Sequence, residues 1–333
     1  MKIGNLGEFG FIDTIKKKFA DIDSGLSTGI GDDCAVININ DNEDLLISTD
    51  LLIEDVHFLK NDIGPERLGY KSLAVNISDI AAMGGTPLYS FLSIAFNKNT
   101  DTEFLEGFME GYHKLSKLFN TQLMGGDTTE SLKHLAINVC ITGKCAKGKA
   151  ILRSGAKPGD TIFVTGTLGD SACGLKLILN NLRDSKDFDY LTSKHYCPMP
   201  RVEQARFLAD TGAVNSMADI SDGIASDLLH ILEQSNVAAQ VNIDLLPLSK
   251  SFKKTVNIYG FDSLQLALSG GEDYELIFTA DSSKAERLQQ IFNQKFGLGI
   301  TQIGIIVKGE PRIEWFGSGK KIDYNTKGFN HFK

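Results

Sequence analysis

An aspartate next to glycine, serine or threonine recurs beside apolar runs, and the first example is the GIGDDCA segment at residues 29–35. Its two glycines allow the backbone to turn tightly, and Asp32 and Asp33 follow directly. Because neighbouring side chains of an extended chain point to opposite faces, these two carboxylates are predicted to have different roles. Glycine and aspartate are also ordinary turn residues, so this segment alone does not distinguish a ligand site from an acidic turn.

Acidic side chains in this setting together indicate a site for hard cations. Carboxylate, hydroxyl and main-chain oxygens are ligands that suit Mg²⁺, which also bridges to phosphates. So many carboxylates with few basic partners repel one another unless cations lie between them. The sequence offers no His or Cys cluster of the kind that binds zinc, no GxxxxGK[ST] loop and no protein-kinase catalytic motif. The candidates are Asp32, Asp33, Asp50, Asp79, Asp127, Asp219 and Asp222.

Hydrophobic patterning predicts the elements that position these residues. A helix is predicted to begin at Pro65 and end at the glycines 84–85, and it places Asn76 and Asp79 on one face. Short strands are predicted at 45–49 and 122–124, each ending at a candidate acidic turn. Thr100 and Glu103 match a capping box that opens a helix, and residues 183–198 are predicted to form a charged excursion.

Length and composition indicate two globular domains. The chain has 333 residues, which corresponds to roughly two domains of about 150 residues. The basic, glycine-containing segment 144–149 is the predicted boundary, so the domains are 1–146 and 147–333. Both halves place acid-and-glycine turns after apolar strands, which favours two related α/β layers. Arg153 and Lys157, just after the boundary, are the candidate cations for a phosphate.

Charge and cysteine usage limit the classes of function and location. The net charge of −8 disfavours a general nucleic-acid binder, which needs a basic excess to neutralise phosphates. The five cysteines form no CxxC pair, and an odd count without a framework is typical of reduced, intracellular proteins. No apolar run approaches the ~18 residues of a membrane helix, and the N-terminus lacks the apolar core of a signal peptide. A cytoplasmic protein without membrane contact is therefore expected.

Eight motifs extend over essentially the whole chain: GIGDDCA (29–35), STD (48–50), NISDIAAMG (76–84), GGDTT (125–129), RSGAKPGD (153–160), VTGTLGDSA (164–172), DISDG (219–223) and SGGEDYEL (269–276). Taken together, these motifs resemble those of thiamine-monophosphate kinases. The resemblance implies ATP-dependent phosphorylation of thiamine monophosphate to thiamine diphosphate, with several Mg²⁺ ions and ATP as co-substrate. It also implies the two-domain α/β (α+β type) fold of aminoimidazole ribonucleotide synthetases, in which N-terminal domains pair their sheets in a homodimer.

The resemblance also implies roles for individual residues of this sequence. Asp50, Asp79, Asp127 and Asp222 would be catalytic. ATP would contact Gly126, Asp127, Arg153 and Ser221, and thiamine monophosphate would contact His57, Glu272 and Phe329. Trp315 is a second aromatic candidate for packing on the thiazolium ring, whose positive charge favours an aromatic face. The implied Mg²⁺ ligands are Asp33, Ser48, Thr49, Asp50, Asp79, Asp127, Asp219 and Asp222.

Two alternatives remain open at this point. One is another ATP-dependent synthetase of the same superfamily, of the selenophosphate or aminoimidazole ribonucleotide type. Residues 1–28 contain no cysteine, which argues against the selenophosphate enzymes, since these carry a reactive Cys or selenocysteine in that region. The other is a non-catalytic module that binds metal or nucleotide, which predicts tight metal binding without turnover.

Overall fold

The N-terminal half forms a six-stranded sheet with helices on one face. The computed structural model describes residues 3–19 and 26–324, and Phe329 lies outside them. The strand order is β1-β2-β3-β6-β4-β5, and all pairs are antiparallel except β4 with β5. The elements are α1 (Ile3–Lys18), β1 (Leu26–Thr28), β2 (Ala35–Asn38), β3 (Glu43–Ile53), α2 (Lys60–Ile63), α3 (Pro65–Ala82), β4 (Thr86–Phe96), α4 (Thr102–Phe119), β5 (Gln122–Glu130) and β6 (Ala136–Ala146).

The C-terminal half forms a seven-stranded mixed sheet. Its order is β13-β12-β9-β11-β7-β10-β8, and every residue of the central strands β7 and β10 is buried. The helices are α5 (Asp170–Leu179), α6 (Phe188–Tyr196), α7 (Val202–Thr211), α8 (Ile224–Ser235), α9 (Lys250–Tyr259), α10 (Ser263–Ser269) and α11 (Ala285–Phe296). The strands are β7 (Thr161–Thr165), β8 (Val214–Asp219), β9 (Ala238–Asn242), β10 (Leu276–Ala280), β11 (Ile300–Val307), β12 (Ile313–Gly317) and β13 (Lys320–Ile322).

Helix α3 runs through the centre of the molecule, and it begins and ends where the sequence predicts. Pro65 occupies its first turn, where a missing N–H costs nothing, and Met83 caps its end. Thirteen of its eighteen residues are buried, because it packs on β3, β4 and β6 on one side and approaches β8 and α7 on the other. Gly69 and Gly111 let α3 and α4 approach closely, since a Cβ on either would overlap a backbone carbonyl of the other helix.

Four local predictions are wrong in ways that matter for the site. β3 continues through Asp50 to Ile53, and β5 continues through the glycines to Glu130, so both acidic motifs lie within strands. Pairing with β6 and with β4 overrides the local turn chemistry in each case. Helix α4 begins at Thr102 with Asp101 at its N-cap and no side-chain capping bond, so the capping box at Thr100 is not formed. The charged excursion contains α6.

The sheet of the N-terminal half has one buried face and one exposed face. Ile137, Val139 and Ile141 of β6 face the core beneath α3 and α4. The opposite face carries Leu51 and Phe91, which are 50% and 41% exposed. In residues 3–19 and 26–324, no helix is both long enough and apolar enough to cross a membrane.

Candidate functional site

Three carboxylates from distant parts of the chain meet between the two halves, those of Asp33 and Asp219 buried and that of Asp79 half-buried. Asp33 follows the GIG turn, Asp79 lies on α3 and Asp219 ends β8, and one oxygen of each lies within 4.8 Å of the others. The Ser48 hydroxyl donates to Asp79 Oδ2 at 2.5 Å, and the Ser78 hydroxyl donates to Asp219 Oδ2 at 2.5 Å. Two strands, a helix and a turn therefore position one carboxylate cluster, as the sequence predicts for these residues.

The electrostatics of this cluster favour a bound cation. Burial, followed by neighbouring carboxylates, raises the pKa of Asp79 well above its usual value and that of Asp219 to about 7. Arg153 forms a two-pronged ion pair with Asp33 Oδ1, with its Nε at 3.1 Å. Asp33 Oδ2 is nevertheless buried without a hydrogen-bond partner in the described part of the chain. Oxygen ligands with an unsatisfied buried oxygen fit Mg²⁺.

Asp32 and Asp33 have different environments, in agreement with their predicted division of roles. Asp32 accepts hydrogen bonds from the main-chain N–H groups of Asp33 (3.0 Å) and Arg153 (3.1 Å). It thereby fixes the turn that directs Asp33 into the cluster. Lys157, the other candidate cation, instead lies near Asn215 with an Nζ–Oδ1 distance of 3.5 Å.

Asp50 and Asp222 extend the acidic site toward a cavity. Burial, the Asp222 carboxylate and Asp33 raise the pKa of Asp50 to about 6. The Asn76 side chain accepts from the Asp50 main-chain N–H at 3.1 Å, so Asn76 fixes the strand there. Asp227, buried on α8, accepts from the Asp222 main-chain N–H at 3.2 Å. Asp227 is not among the residues predicted from the sequence, although an acidic residue among apolar neighbours, five positions after Asp222, could have indicated it.

A cavity of about 930 Å³ lies between the halves and has two chemically different ends. Asp50, Asp79, Ser221 and Asp222 line its acidic end. Apolar side chains from the segment after β3, from α5 and from α10 line the remainder. These include Val56, Phe58, Leu59, Leu175, Ile178, Leu179 and Leu266. One end suits phosphates with cations, and the other suits an organic ring system.

The predicted acceptor residues His57 and Glu272 both line this cavity. His57 Nδ1 accepts from the Ile53 main-chain N–H at 2.9 Å, which requires the proton to be on Nε2 when the ring is neutral. Glu272 pairs with Lys71 and with His195. Burial alone would raise the pKa of Glu272, but Lys71 and then His195 hold it well below its usual value. Neither Lys71 nor His195 was singled out from the sequence.

Several predicted site residues are not brought to the cluster by this chain. The hydroxyl of Thr49 points to the exposed face, where it donates to the Val139 carbonyl. Asp127 is exposed on the edge strand β5, with Gly126 beside it. Asp127 is paired with Ser93 of β4, Ser93 with Asn138 of β6, and Asn138 with Leu51 of β3. Asp127 is therefore three strand spacings, about 14 Å, from Leu51. Because register partners share a face, Asp127 lies on the face opposite to the Asp50 side chain.

Trp315 and Phe329 are the two aromatic residues predicted to pack on the thiazolium ring. Trp315 is 3% exposed within the C-terminal core, because β12 directs it between the sheet and its helices, so its predicted contact with the acceptor is wrong. Phe329 lies outside the described residues. Tyr112, an aromatic residue of the N-terminal half, is buried and donates to the Ser90 hydroxyl at 2.8 Å.

Comparison with known proteins identifies the family. Residues 31–145 match the model for "AIR synthase related protein, N-terminal domain", and residues 157–315 match that for "AIR synthase related protein, C-terminal domain". Fold and site thus define an AIR synthase related protein. The chain is 40% identical over 332 residues to the thiamine-monophosphate kinase of Escherichia coli (strain K12), covering 98% of each chain. It is 38% identical over 315 residues to that of Bacillus subtilis (strain 168), covering 93% of this chain and 95% of the relative. The chain belongs to the thiamine-monophosphate kinase family.

Solved structures agree with this assignment. The structure named "AaThiL complexed with AMPPCP and TMP" has a TM-score of 0.85 and 33% identity, and the alignment covers 99% of both chains. The thiamine-monophosphate kinase of Stenotrophomonas maltophilia K279a has a TM-score of 0.76 at 34% identity, covering 95% of this chain and 98% of the other. The predicted two-domain fold is thereby confirmed.

Proposed function

We infer that the protein catalyses ATP-dependent phosphorylation of thiamine monophosphate to thiamine diphosphate. The observation that carries this inference is that one cavity has a carboxylate cluster at one end and, at the other, an apolar wall with an ionised glutamate. The relative whose name records AMPPCP and TMP shares this fold along 99% of its length. ATP and a phosphorylated organic acceptor are the ligands that such a cavity accommodates together.

We propose that Asp33, Asp79 and Asp219 hold Mg²⁺, with Asp50, Asp222 and Ser48 completing the set. Bound Mg²⁺ would neutralise the two polyanions and align them for in-line displacement. Arg153 and Ser221 are the proposed ATP contacts, since Arg153 lies against Asp33 and Ser221 lines the acidic end of the cavity. His57 and Glu272 line the same cavity and are the proposed acceptor contacts.

The acceptor chemistry explains why this site needs no general base. Phosphate monoesters have a second pKa of about 6, so at neutral pH the acceptor oxygen is already a nucleophile. Kinases that act on alcohols instead use a carboxylate to accept the hydroxyl proton. Here His57 Nδ1 is engaged by the Ile53 main-chain N–H, so the role that remains for His57 is to orient the acceptor. Transfer is therefore proposed to be direct, without a phosphoenzyme.

We expect ADP release to depend on thiamine monophosphate, with free thiamine a very poor acceptor at equal concentration. The measurement is coupled ADP release, together with incubation of the protein with γ-labelled ATP alone. A labelled protein that passes its phosphate to the acceptor would refute direct transfer, as would comparable turnover of thiamine. Metal-dependent nucleotide binding without any ADP release would favour a non-catalytic module.

We propose a homodimer formed by the N-terminal halves. The exposed apolar residues Leu51, Tyr89 and Phe91 share one sheet face, and β5 leaves an unpaired strand edge beside it. Exposed edges and apolar faces of this kind are usually covered by a partner. Asp127 lies on that face, and both Asp127 and the neighbouring Gly126 are too far from the cluster of their own chain. A partner subunit would bring them to the other chain's site.

Mixing two inactive variants tests this shared site. Dimers of Asp79→Asn with Asp127→Asn subunits would contain one intact site, so re-association should restore up to about a quarter of wild-type activity in a two-fold dimer. Light scattering should give a mass of about 73 kDa, twice the 36.3 kDa chain. A monomer at micromolar concentration would contradict the dimer. A dimer whose mixed variants stay inactive would place Asp127 in its own subunit's site.

A cytoplasmic location is also proposed. The five cysteines of the chain are all free thiols, which is the state that a reducing compartment maintains. Labelling of cell fractions with an antibody to the protein would test it, and recovery from the periplasm or membrane would contradict it.

A further inference from the structure

Lys71 is a fully buried lysine whose ammonium faces Glu272. It lies on α3 with a side-chain exposure of 0%, and its Nζ is 2.9 Å from Glu272 Oε1 and 3.0 Å from Oε2. A buried ammonium is stable only when it is paired. Glu272 itself keeps 27% of its side chain exposed and lines the cavity. The pair therefore has one member in the core and one in contact with whatever fills the cavity.

His195 supports the same carboxylate from a second helix. It lies buried on α6, with Nδ1 3.0 Å from Glu272 Oε2 and 3.1 Å from the Ser171 hydroxyl of α5. Burial, and then Lys71, lowers the pKa of His195, so the ring is neutral and donates its Nδ1 proton. Two helices, one from each half of the chain, thus contact one glutamate side chain, and Ser171 of α5 contacts the histidine that supports it.

The main chain at Glu272 is also held in a demanding conformation. Glu272 has φ 57° and Tyr274 has φ 48°, a region that non-glycine residues seldom adopt. Hydrogen bonds from Glu272 N to the Ser221 carbonyl (2.7 Å) and from Tyr274 N to the Ile220 carbonyl (2.9 Å) keep the segment there. Backbone strain of this kind persists where the surroundings fix it, and it collects at functional sites.

Helix α3 sets the distance between this glutamate and the carboxylate cluster. Lys71 and Asp79 are eight residues apart on α3, which corresponds to about 12 Å along the axis. Ser78, next to Asp79, donates to Asp219 of the C-terminal half, and Lys71 pairs with Glu272 of the same half. One rigid helix therefore fixes the distance between the two ends of the cavity.

We propose that Lys71 is a positioning residue that, with His195, fixes the Glu272 carboxylate as an anion at the acceptor end of the cavity. The inference rests on the proposed function, because Glu272 must meet the organic part of the acceptor. Its consequence is that the acceptor's ring system is held at a fixed distance from the phosphate end. Loss of Lys71 should then weaken acceptor binding selectively.

The test is Lys71→Met, which keeps an unbranched apolar side chain one atom shorter and removes the charge. We expect the KM for thiamine monophosphate to rise roughly tenfold or more, since charge-assisted hydrogen bonds are lost. The KM for ATP should stay within about twofold of wild type. His195→Leu should raise the KM for thiamine monophosphate and leave the KM for ATP unchanged. His195→Asn retains a donor near the Nδ1 position, so its KM for thiamine monophosphate should return most of the way to the wild-type value.

Arg201→Met is the matched control. Arg201 also forms a buried ion pair, with Glu275 just before β10, but it does not line the large cavity. Arg201→Met should lower the stability of the protein without changing the KM for ATP or for thiamine monophosphate. Equal rises in both KM values for Lys71→Met, or an unchanged acceptor KM in Lys71→Met and His195→Leu, would overturn the proposal. If the wild-type protein does not phosphorylate thiamine monophosphate, the proposed function fails instead.

Discussion

Asp79→Asn is expected to lower kcat/KM by roughly a hundredfold or more, because it removes a charged ligand of the proposed metal site. The same substitution should raise the melting temperature of the metal-free protein. In that state desolvation, followed by the Asp50, Asp219 and Asp33 carboxylates, raises the pKa of Asp79. A folded-state pKa above the unfolded value means that the ionised group lowers stability at neutral pH. Asparagine removes that charge at nearly the same volume.

Thermal unfolding in EDTA and across a Mg²⁺ titration checks both parts of this prediction. Wild-type protein should gain stability as Mg²⁺ is added, because a cation that binds only the folded state stabilises it by mass action. Asp79→Asn should start higher and gain much less. Asp41→Asn is a suitable control, since that side chain is fully exposed. A lower melting temperature of Asp79→Asn in EDTA, or an undiminished Mg²⁺ response, would show that the cluster is misassigned.

Gly111→Ala is expected to lower the free energy of unfolding by about 3 kcal/mol, at the upper end for overpacking of a core. Its Cβ would lie 1.7 Å from the Glu66 carbonyl oxygen at the start of α3. Backbone cannot move aside as a flexible side chain can, so α4 must shift away from α3. The loss would occur even though alanine is the better helix former by about 1 kcal/mol.

Chemical denaturation measures this effect, and Gly299→Ala provides the comparison. Gly299 lies in a loop where an added Cβ would meet only Asn293 Oδ1 at 3.7 Å, so its stability should change little. If Gly111→Ala were as stable as wild type, the close contact between α3 and α4 would not exist in solution. Activity should fall with stability, because α3 carries both Asp79 and Lys71.

The sequence predicted α3 correctly because its signals are local. Pro65 at the start, the glycines after its end and a long apolar stretch all act within the helix itself. Asp33, Asp79 and Asp219 could likewise be identified, since each departs from an apolar surrounding. The extent of β3 and β5 could not, because inter-strand pairing determines where a strand ends and pairing involves residues far apart in the chain.

The network around Glu272 was beyond sequence reasoning for the same physical reason. Lys71 and Glu272 are 201 residues apart, and nothing near Lys71 indicates a buried partner. A lysine in a helix is most often solvated, so its burial appears only when the two halves are packed together. The burial of Trp315 also depends on tertiary packing, and its residue type alone pointed to the wrong role.

The two ends of the cavity are built by different parts of the chain, and this division has an evolutionary consequence. The carboxylates come from the GIG turn, β3, α3 and the end of β8, whereas α5 and the segment after β3 supply much of the apolar wall. Substitutions in Leu175, Ile178 or Leu179 could therefore alter which organic group is accepted while leaving the phosphate chemistry inherited intact.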